Sequence, residues 1–177
     1  MEGRQVIKIV LTGPESSGKS KLTQGLAKYY DTFWVPEYAR NYLARLHRPY
    51  TATDILQIAK EQSEIQKQAG VKSNPLLICD TGLLVLKIWL QYKYQISDPW
   101  IEDQFKKDAA DLYLLCRPDI PWEEDPLREN PDNRAALFEL YLQALKLGQK
   151  SFVVISGADF EKRMRVASAA IDQLLSA

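Results

Sequence analysis

Histidine occurs once in this chain of 177 residues and cysteine only twice. Cys79 and Cys116 lie far apart, and each closes an apolar run. Both are therefore expected to be buried thiols of a reducing, cytoplasmic compartment rather than a disulfide pair. So few His and Cys leave little for a zinc site. Net charge is also missing: 23 Lys and Arg stand against 23 Asp and Glu. That balance argues against broad adhesion to nucleic acid or to an anionic membrane, while a local basic pocket for one small anion stays open. No apolar stretch approaches the roughly 20 residues a spanning helix needs. The opening MEGRQVIKIVLTG has too short an apolar run, and no small-residue cleavage site, for a secretory leader. The remaining composition, 46% hydrophobic and 26% charged, suits one globular domain over 1–177, and no internal repeat or linker interrupts it.

Four short runs rich in Val, Ile and Leu stand out, at 6–11, 76–79, 112–116 and 152–155. None alternates with polar residues, as expected of strands buried on both faces of a parallel sheet. A weaker fifth candidate at 33–36 is cut short by Pro36. Helical patterns lie between the runs at 18–30, 53–69, 83–94, 99–109, 134–147 and 159–175. The alternation predicts an α/β fold with right-handed crossovers. Residues 117–133 differ in character, with four prolines among acidic residues, and are expected to form a lid loop.

The first run leads into Gly13-Pro14-Glu15-Ser16-Ser17-Gly18-Lys19-Ser20 and then a helix. This is G-x-x-x-x-G-K-[ST] in the context that makes it credible, a phosphate-binding loop. The glycines let the backbone bend so that its amides surround phosphate oxygens, and the helix start at Gly18 adds its dipole. Lys19 is expected to reach the β- and γ-phosphates and the Ser20 hydroxyl to ligate Mg²⁺. Glu15, Ser16, Ser17 and Lys21 complete the expected nucleotide contacts, with ATP favoured because no Asn-Lys-x-Asp guanine reader occurs. The run at 76–79 ends in Asp80, placed to be the second metal ligand.

The acceptor is expected beside Glu37-Tyr38-Ala39-Arg40, since ligands of open α/β sheets bind at the carboxyl ends of the strands. There Glu37 could take a proton from a hydroxyl, Tyr38 stack on a flat ring and Arg40 pair with substrate or with Glu37. Gln62, on the inward face of its helix, is a further candidate for a substrate hydrogen bond. A guanidinium over the transferring phosphoryl would neutralise developing charge, with Arg128 the first candidate and Arg134 the second. A phosphate loop also serves ATPase switches and kinases of other nucleosides or nucleotides; Arg40, Arg45 and Arg48 could serve a monophosphate.

These residues resemble the ribosylnicotinamide kinase domain of the NadR type, a branch of the P-loop kinases. The matching pieces are Gly13 to Ser20, Glu37-Tyr38-x-Arg40, Asp80-Thr81, and Asp125-x-x-Arg128 with Arg134 beyond, in the family's order. The resemblance implies a three-layer P-loop fold with strand order 2-3-1-4-5. It implies ATP- and Mg²⁺-dependent phosphorylation of the 5′-hydroxyl of a small nucleoside-like acceptor, nicotinamide riboside, in NAD biosynthesis. It further implies that Glu37 lies by the acceptor hydroxyl, that Asp80 serves metal or ribose, that Arg128 belongs to the lid, and that residues 156–159 pass near adenine. The chain departs from the family in having Asp80-Thr81-Gly82 where Asp-Thr-Asp is frequent. The adenylyltransferase and DNA-binding parts that often accompany the domain are not expected within 177 residues.

Overall fold

A computed structural model describes residues 6–72 and 75–176; the N-terminal reading at residues 1–5 falls outside them. Five parallel strands form one sheet. The central strand β1 (Ile7–Thr12) pairs with β3 (Leu76–Asp80) on one side and β4 (Leu112–Cys116) on the other. The edges are β2 (Trp34–Val35), beside β3, and β5 (Phe152–Ile155), beside β4. The order is β2-β3-β1-β4-β5, as the resemblance implies.

The sheet is covered on both faces, which is why its inner strands read as unbroken apolar runs. Ile9 and Leu11 point to one face, where α1 (Lys19–Tyr29) and α7 (Phe160–Leu175) supply Leu22, Leu26, Ala167 and Ile171. Val10, Leu77 and Cys79 point to the other, against Leu84 of α4 (Leu83–Trp89) and Phe138 and Tyr141 of α6 (Arg134–Leu147). Outside that layer, α2 (Tyr38–Ala44), α3 (Ala52–Lys72) and α5 (Pro99–Lys107) join α4 around Ala39, Ile55, Ile58, Leu86 and Ile101.

Local chemistry sets several ends. Pro99 opens α5 behind Asp98, whose carboxylate accepts from Ile101 N at 3.0 Å, and Asp159 caps α7 by accepting from Lys162 N at 2.6 Å. At α3 the Asp54 carboxylate reaches back to Thr51 N at 2.7 Å, half of a capping box, and also takes Arg48 and Tyr42. Two expectations need correction. The segment from Tyr38 onward is not a strand tip but helix α2, because Pro36 ends β2 after two residues. The helix expected over 83–94 is α-helical only to Trp89 and finishes as a π-helical turn, Leu90–Tyr94. The N-cap of α4 is Gly82, without a side-chain bond.

Candidate functional site

The phosphate loop leaves β1 at Thr12. Gly13 takes φ 131°, and a Cβ there would lie 2.5 Å from the Cys116 carbonyl oxygen, so only glycine fits beside β4. Ser16 and Gly18 take left-handed backbone, φ 50° and 80°. Such alternation turns amides to one side and makes an anion-binding nest. The loop carbonyls are tied off by side chains: Lys19 Nζ donates to Gly13 O (2.9 Å) and Pro14 O (2.7 Å), and Ser17 Oγ to Pro14 O (2.7 Å).

Two carboxylates face this loop. Asp80 ends β3 opposite Leu11 of β1, which brings it beside the start of α1. The Ser20 hydroxyl lies near its carboxylate, and Oδ1 is buried with no partner. Burial pushes its carboxyl above the usual range, against Ser20, Lys19 and Arg40. An orphaned carboxylate oxygen next to a serine hydroxyl is suitable donor chemistry for a hard cation such as Mg²⁺, which keeps waters and phosphate oxygens as its other ligands. Among the described residues, no group of three or more His, Cys, Asp or Glu could hold a metal alone. Glu37 precedes α2 and makes no cap bond, so its carboxylate is free for the cleft. Burial raises it too; Lys19 opposes that shift, Asp80 adds to it, and smaller effects come from Arg40 and Glu15.

A cleft of about 560 Å³ opens from the loop. Glu37 and Arg40 line it together with Val85, Ile88, Trp89 and Tyr141, which give it an apolar, aromatic character. The irregular connection 117–133 roofs it and is fastened to the phosphate loop. Glu15 Oε2 accepts from Glu129 N (3.0 Å) and Asn130 N (2.9 Å), and Ser16 Oγ accepts from Glu123 N (3.0 Å). Two ion pairs fasten it to the body, Arg40 to Asp125 and Lys93 to Glu129, each at 2.8 Å.

Of the expected site residues, Gly13, Glu15, Ser16, Ser17, Gly18, Lys19, Ser20, Lys21, Glu37, Arg40 and Arg128 come together around this cleft. Asp80 lies buried at the floor beneath them. Tyr38 and Gln62 do not line it: Tyr38 packs against the α2–α3 cluster, and Gln62, 1% exposed, spends its amide on Tyr38 N (2.7 Å) and Pro36 O (3.4 Å). Arg134 also stays outside the cleft wall. It donates to Ser16 O and Ile120 O at 3.0 Å, with its guanidinium 5.6 Å from the Trp122 ring. The 156–159 loop is held to the 117–133 connection through Gly157 N, which donates to Asp119 at 2.7 Å. Gly82 has a packing reason to be glycine, since a Cβ there would meet Val10 Cγ1 at 3.0 Å; a second acid after Asp80 would crowd β1.

Several residues of the site escaped sequence reasoning: Trp89, Tyr92, Lys93 and Tyr141 of the cleft lining, and Arg163 behind the phosphate loop. Arg163 of α7 is 3% exposed and donates Nε to Gly157 O (2.6 Å), one terminal nitrogen to Ser17 O (2.7 Å) and the other to Arg117 O (2.7 Å). It knots the phosphate loop, the end of β4 and the loop after β5. The available signal was a charge on the stripe Phe160, Met164, Ala167 and Ile171, three residues past Phe160 and four before Ala167.

A family model described as an AAA domain matches residues 8–163. The trifunctional NAD biosynthesis/regulator protein NadR of Salmonella typhimurium is 26% identical over 161 residues, covering 88% of this chain and 39% of that protein. The chain thus spans about two fifths of the length of that relative. The crystal structure of NadR protein in complex with NR matches with a TM-score of 0.81 at 16% identity, over 96% of this chain and 50% of that one. Deoxyadenosine kinase from M. mycoides matches with a TM-score of 0.66 at 16% identity, over 94% and 100%. The resemblance read from the motifs is thus met again in sequence and in fold. Matched by that model over all but its two ends, the chain belongs to the AAA domain family and carries the P-loop kinase fold shared with NadR and the nucleoside kinases.

Proposed function

We propose that the chain is an ATP-dependent kinase that phosphorylates the 5′-hydroxyl of nicotinamide riboside. The observation that carries this reading is Glu37, a desolvated carboxylate within electrostatic reach of Lys19 and Asp80, in a cleft also lined by apolar and aromatic side chains. The loop amides bind the triphosphate, and Lys19 exchanges its two loop carbonyls for the β- and γ-phosphates. Ser20 and Asp80 would hold Mg²⁺, which would supply charge neutralisation on the phosphate oxygens. Glu37 accepts the hydroxyl proton as the acceptor oxygen bonds to the γ-phosphorus and ADP leaves. Arg128, carried by the 117–133 lid, balances charge on the transferring group, and the lid excludes water.

The name of the Salmonella relative and the NR-bound NadR structure support the acceptor. So does the chemistry of the cleft, where Trp89, Tyr92 and Tyr141 offer aromatic faces to a flat cationic ring. Arg40 and Lys93, which line the cleft, are already neutralised by Asp125 and Glu129, and Arg48 by Asp54. That pairing favours an acceptor without a phosphate of its own over a nucleoside monophosphate.

The test is a panel of acceptors incubated with Mg·ATP and read by mass spectrometry: nicotinamide riboside, common nucleosides, their monophosphates, and none. The expected result is nicotinamide mononucleotide and ADP in equal amounts, with slow ADP release when no acceptor is present. ADP release that no acceptor changes would mark an ATPase or switch, and a faster reaction with another nucleoside or nucleotide would reassign the acceptor.

A further inference from the structure

Helix α3 carries two buried glutamines one turn apart, Gln62 and Gln66, 1% and 6% exposed. Neither points its amide at the cleft; both spend it on the backbone beside a carboxylate. Gln62 brackets Glu37, accepting from Tyr38 N at 2.7 Å and donating to Pro36 O at 3.4 Å. Gln66 Nε2 donates to Thr81 O at 2.9 Å, the carbonyl next after Asp80. Thr81 needs holding. It is β-branched and sits at φ 68°, a region such residues avoid at a cost of about 1–3 kcal/mol. Thr81 N donates in turn to Leu11 O at 3.1 Å.

The two turns are also neighbours across the sheet. Val35 of β2 pairs with Cys79 of β3, so one step further the chain leaves β2 toward Glu37 where β3 reaches Asp80. Past that point the strands no longer bond to each other, and the segments diverge into α2 and α4. Residues four apart on a helix are about 6 Å apart along its axis, close to the roughly 4.8 Å between adjacent strands. One rigid helix can therefore hold both turns after the sheet has let go of them.

We propose that Gln62 and Gln66 are positioning residues that fix the Glu37 and Asp80 turns on α3 and so set the spacing of the two carboxylates across the phosphate loop. This rests on the kinase reading for its consequence, but not for its geometry. Gln62 then acts through Glu37 rather than on the acceptor, and Gln66 acts through Asp80.

The experiment compares Gln62→Met and Gln66→Met with the parent, each also in combination with the carboxylate it is said to hold. For Gln62→Met, kcat is expected to fall roughly 10- to 100-fold, as for a misplacement near 1 Å, with both KM values within about threefold. In a Glu37→Gln background the same change is expected to have less than about a twofold effect, because residues acting as a unit are non-additive. For Gln66→Met, the factor by which Mg²⁺ tightens ADP binding in calorimetry is expected to shrink about tenfold, and not at all in an Asp80→Asn background. Amide exchange followed by NMR should quicken at Tyr38 in Gln62→Met, about tenfold, while β1 and β3 stay protected.

Equal losses in both backgrounds would reduce the glutamines to packing, and a raised acceptor KM with kcat retained would make Gln62 a substrate contact; either overturns the proposal. So would unchanged exchange at Tyr38. If Gln62→Met does not fold, Gln62→Asn, which keeps the amide but shortens its reach, carries the same measurements. If the parent phosphorylates nothing on the panel, the kinase reading fails, and exchange and ADP binding still decide the positioning.

Discussion

Arg163 offers a direct test of how the nucleotide end of the site is held together. Its guanidinium is 3% exposed and bonds three carbonyls from three different loops, those of Ser17, Arg117 and Gly157. Among the described residues no ion pair joins it. The balance is then between burying a cation, which costs several kcal/mol, and three charge-assisted bonds worth about 1.5–3 kcal/mol each. Arg163→Met removes both sides of that balance but takes this donor from the carbonyl of Ser17, which is buried, and from those of Arg117 and Gly157, which are part-buried, at up to about 1 kcal/mol each by the lower end of the usual range. The expected loss is up to about 3 kcal/mol, and for a chain of this length that lowers Tm by up to about 6–12 °C. Arg163→Lys, with one ammonium in place of a fork, is expected to recover only part of this. Urea unfolding at unchanged m-value measures the stability term. Titration with Mg·ADP measures the second consequence: a weaker grip on nucleotide, although Arg163 bonds only to backbone. A loss below about 1 kcal/mol in Arg163→Met, or full stability in Arg163→Lys, would refute the reasoning, since either would mean the three carbonyls find other donors.

Lys19→Ala is expected to lower kcat by several orders of magnitude while far-UV dichroism and the unfolding midpoint stay near the parent's, because Lys19 bonds only to loop carbonyls. Glu37→Gln should lower kcat by about 10²–10⁴-fold, leaving a measurable residual rate, and yet raise Tm at neutral pH. A carboxyl whose folded pKa is raised makes the protein less stable as pH climbs through that range, so the gain should vanish in acid, below the unfolded value, where both states are protonated. The same shift places the acid limb of the kcat/KM profile of the parent above the ordinary carboxylate range, with activity rising toward neutrality. Asp125→Asn breaks the partly exposed pair with Arg40. Its cost in stability should stay under about 1 kcal/mol, while ADP release without acceptor increases several-fold as the lid loosens, read by a coupled assay.

What could be read in the sequence was what is decided locally. β1, β3 and β4 are sandwiched between helices, so burial on both faces writes itself as unbroken Val, Ile and Leu. The phosphate loop is a backbone shape, and glycine at 13 and 18 with Lys19 and Ser20 behind is that shape in residues. What could not be read was who holds whom. Helix α2 was hidden because Tyr38–Ala44 has no apolar period long enough to show in a window, and β2 was reduced to two residues by a proline whose effect on length is set by tertiary contacts. The roof of the cleft depends on Glu15 meeting the amides of Glu129 and Asn130 more than a hundred residues away, which no spacing rule contains. Gln62 is the instructive residue. Helical period correctly turned it inward, and a polar group turned inward near a site suggests a ligand. Yet a buried amide must first be satisfied, and backbone left bare where β2 stops is the nearer partner. Arg163 follows the same rule on the opposite face. At the strand ends of this sheet, where ladder bonds stop and the loops begin, buried polar side chains from the covering helices take over the bonding of the backbone, while the Glu37 carboxylate beside the cleft makes no cap bond and Asp80 Oδ1 stays buried without a partner.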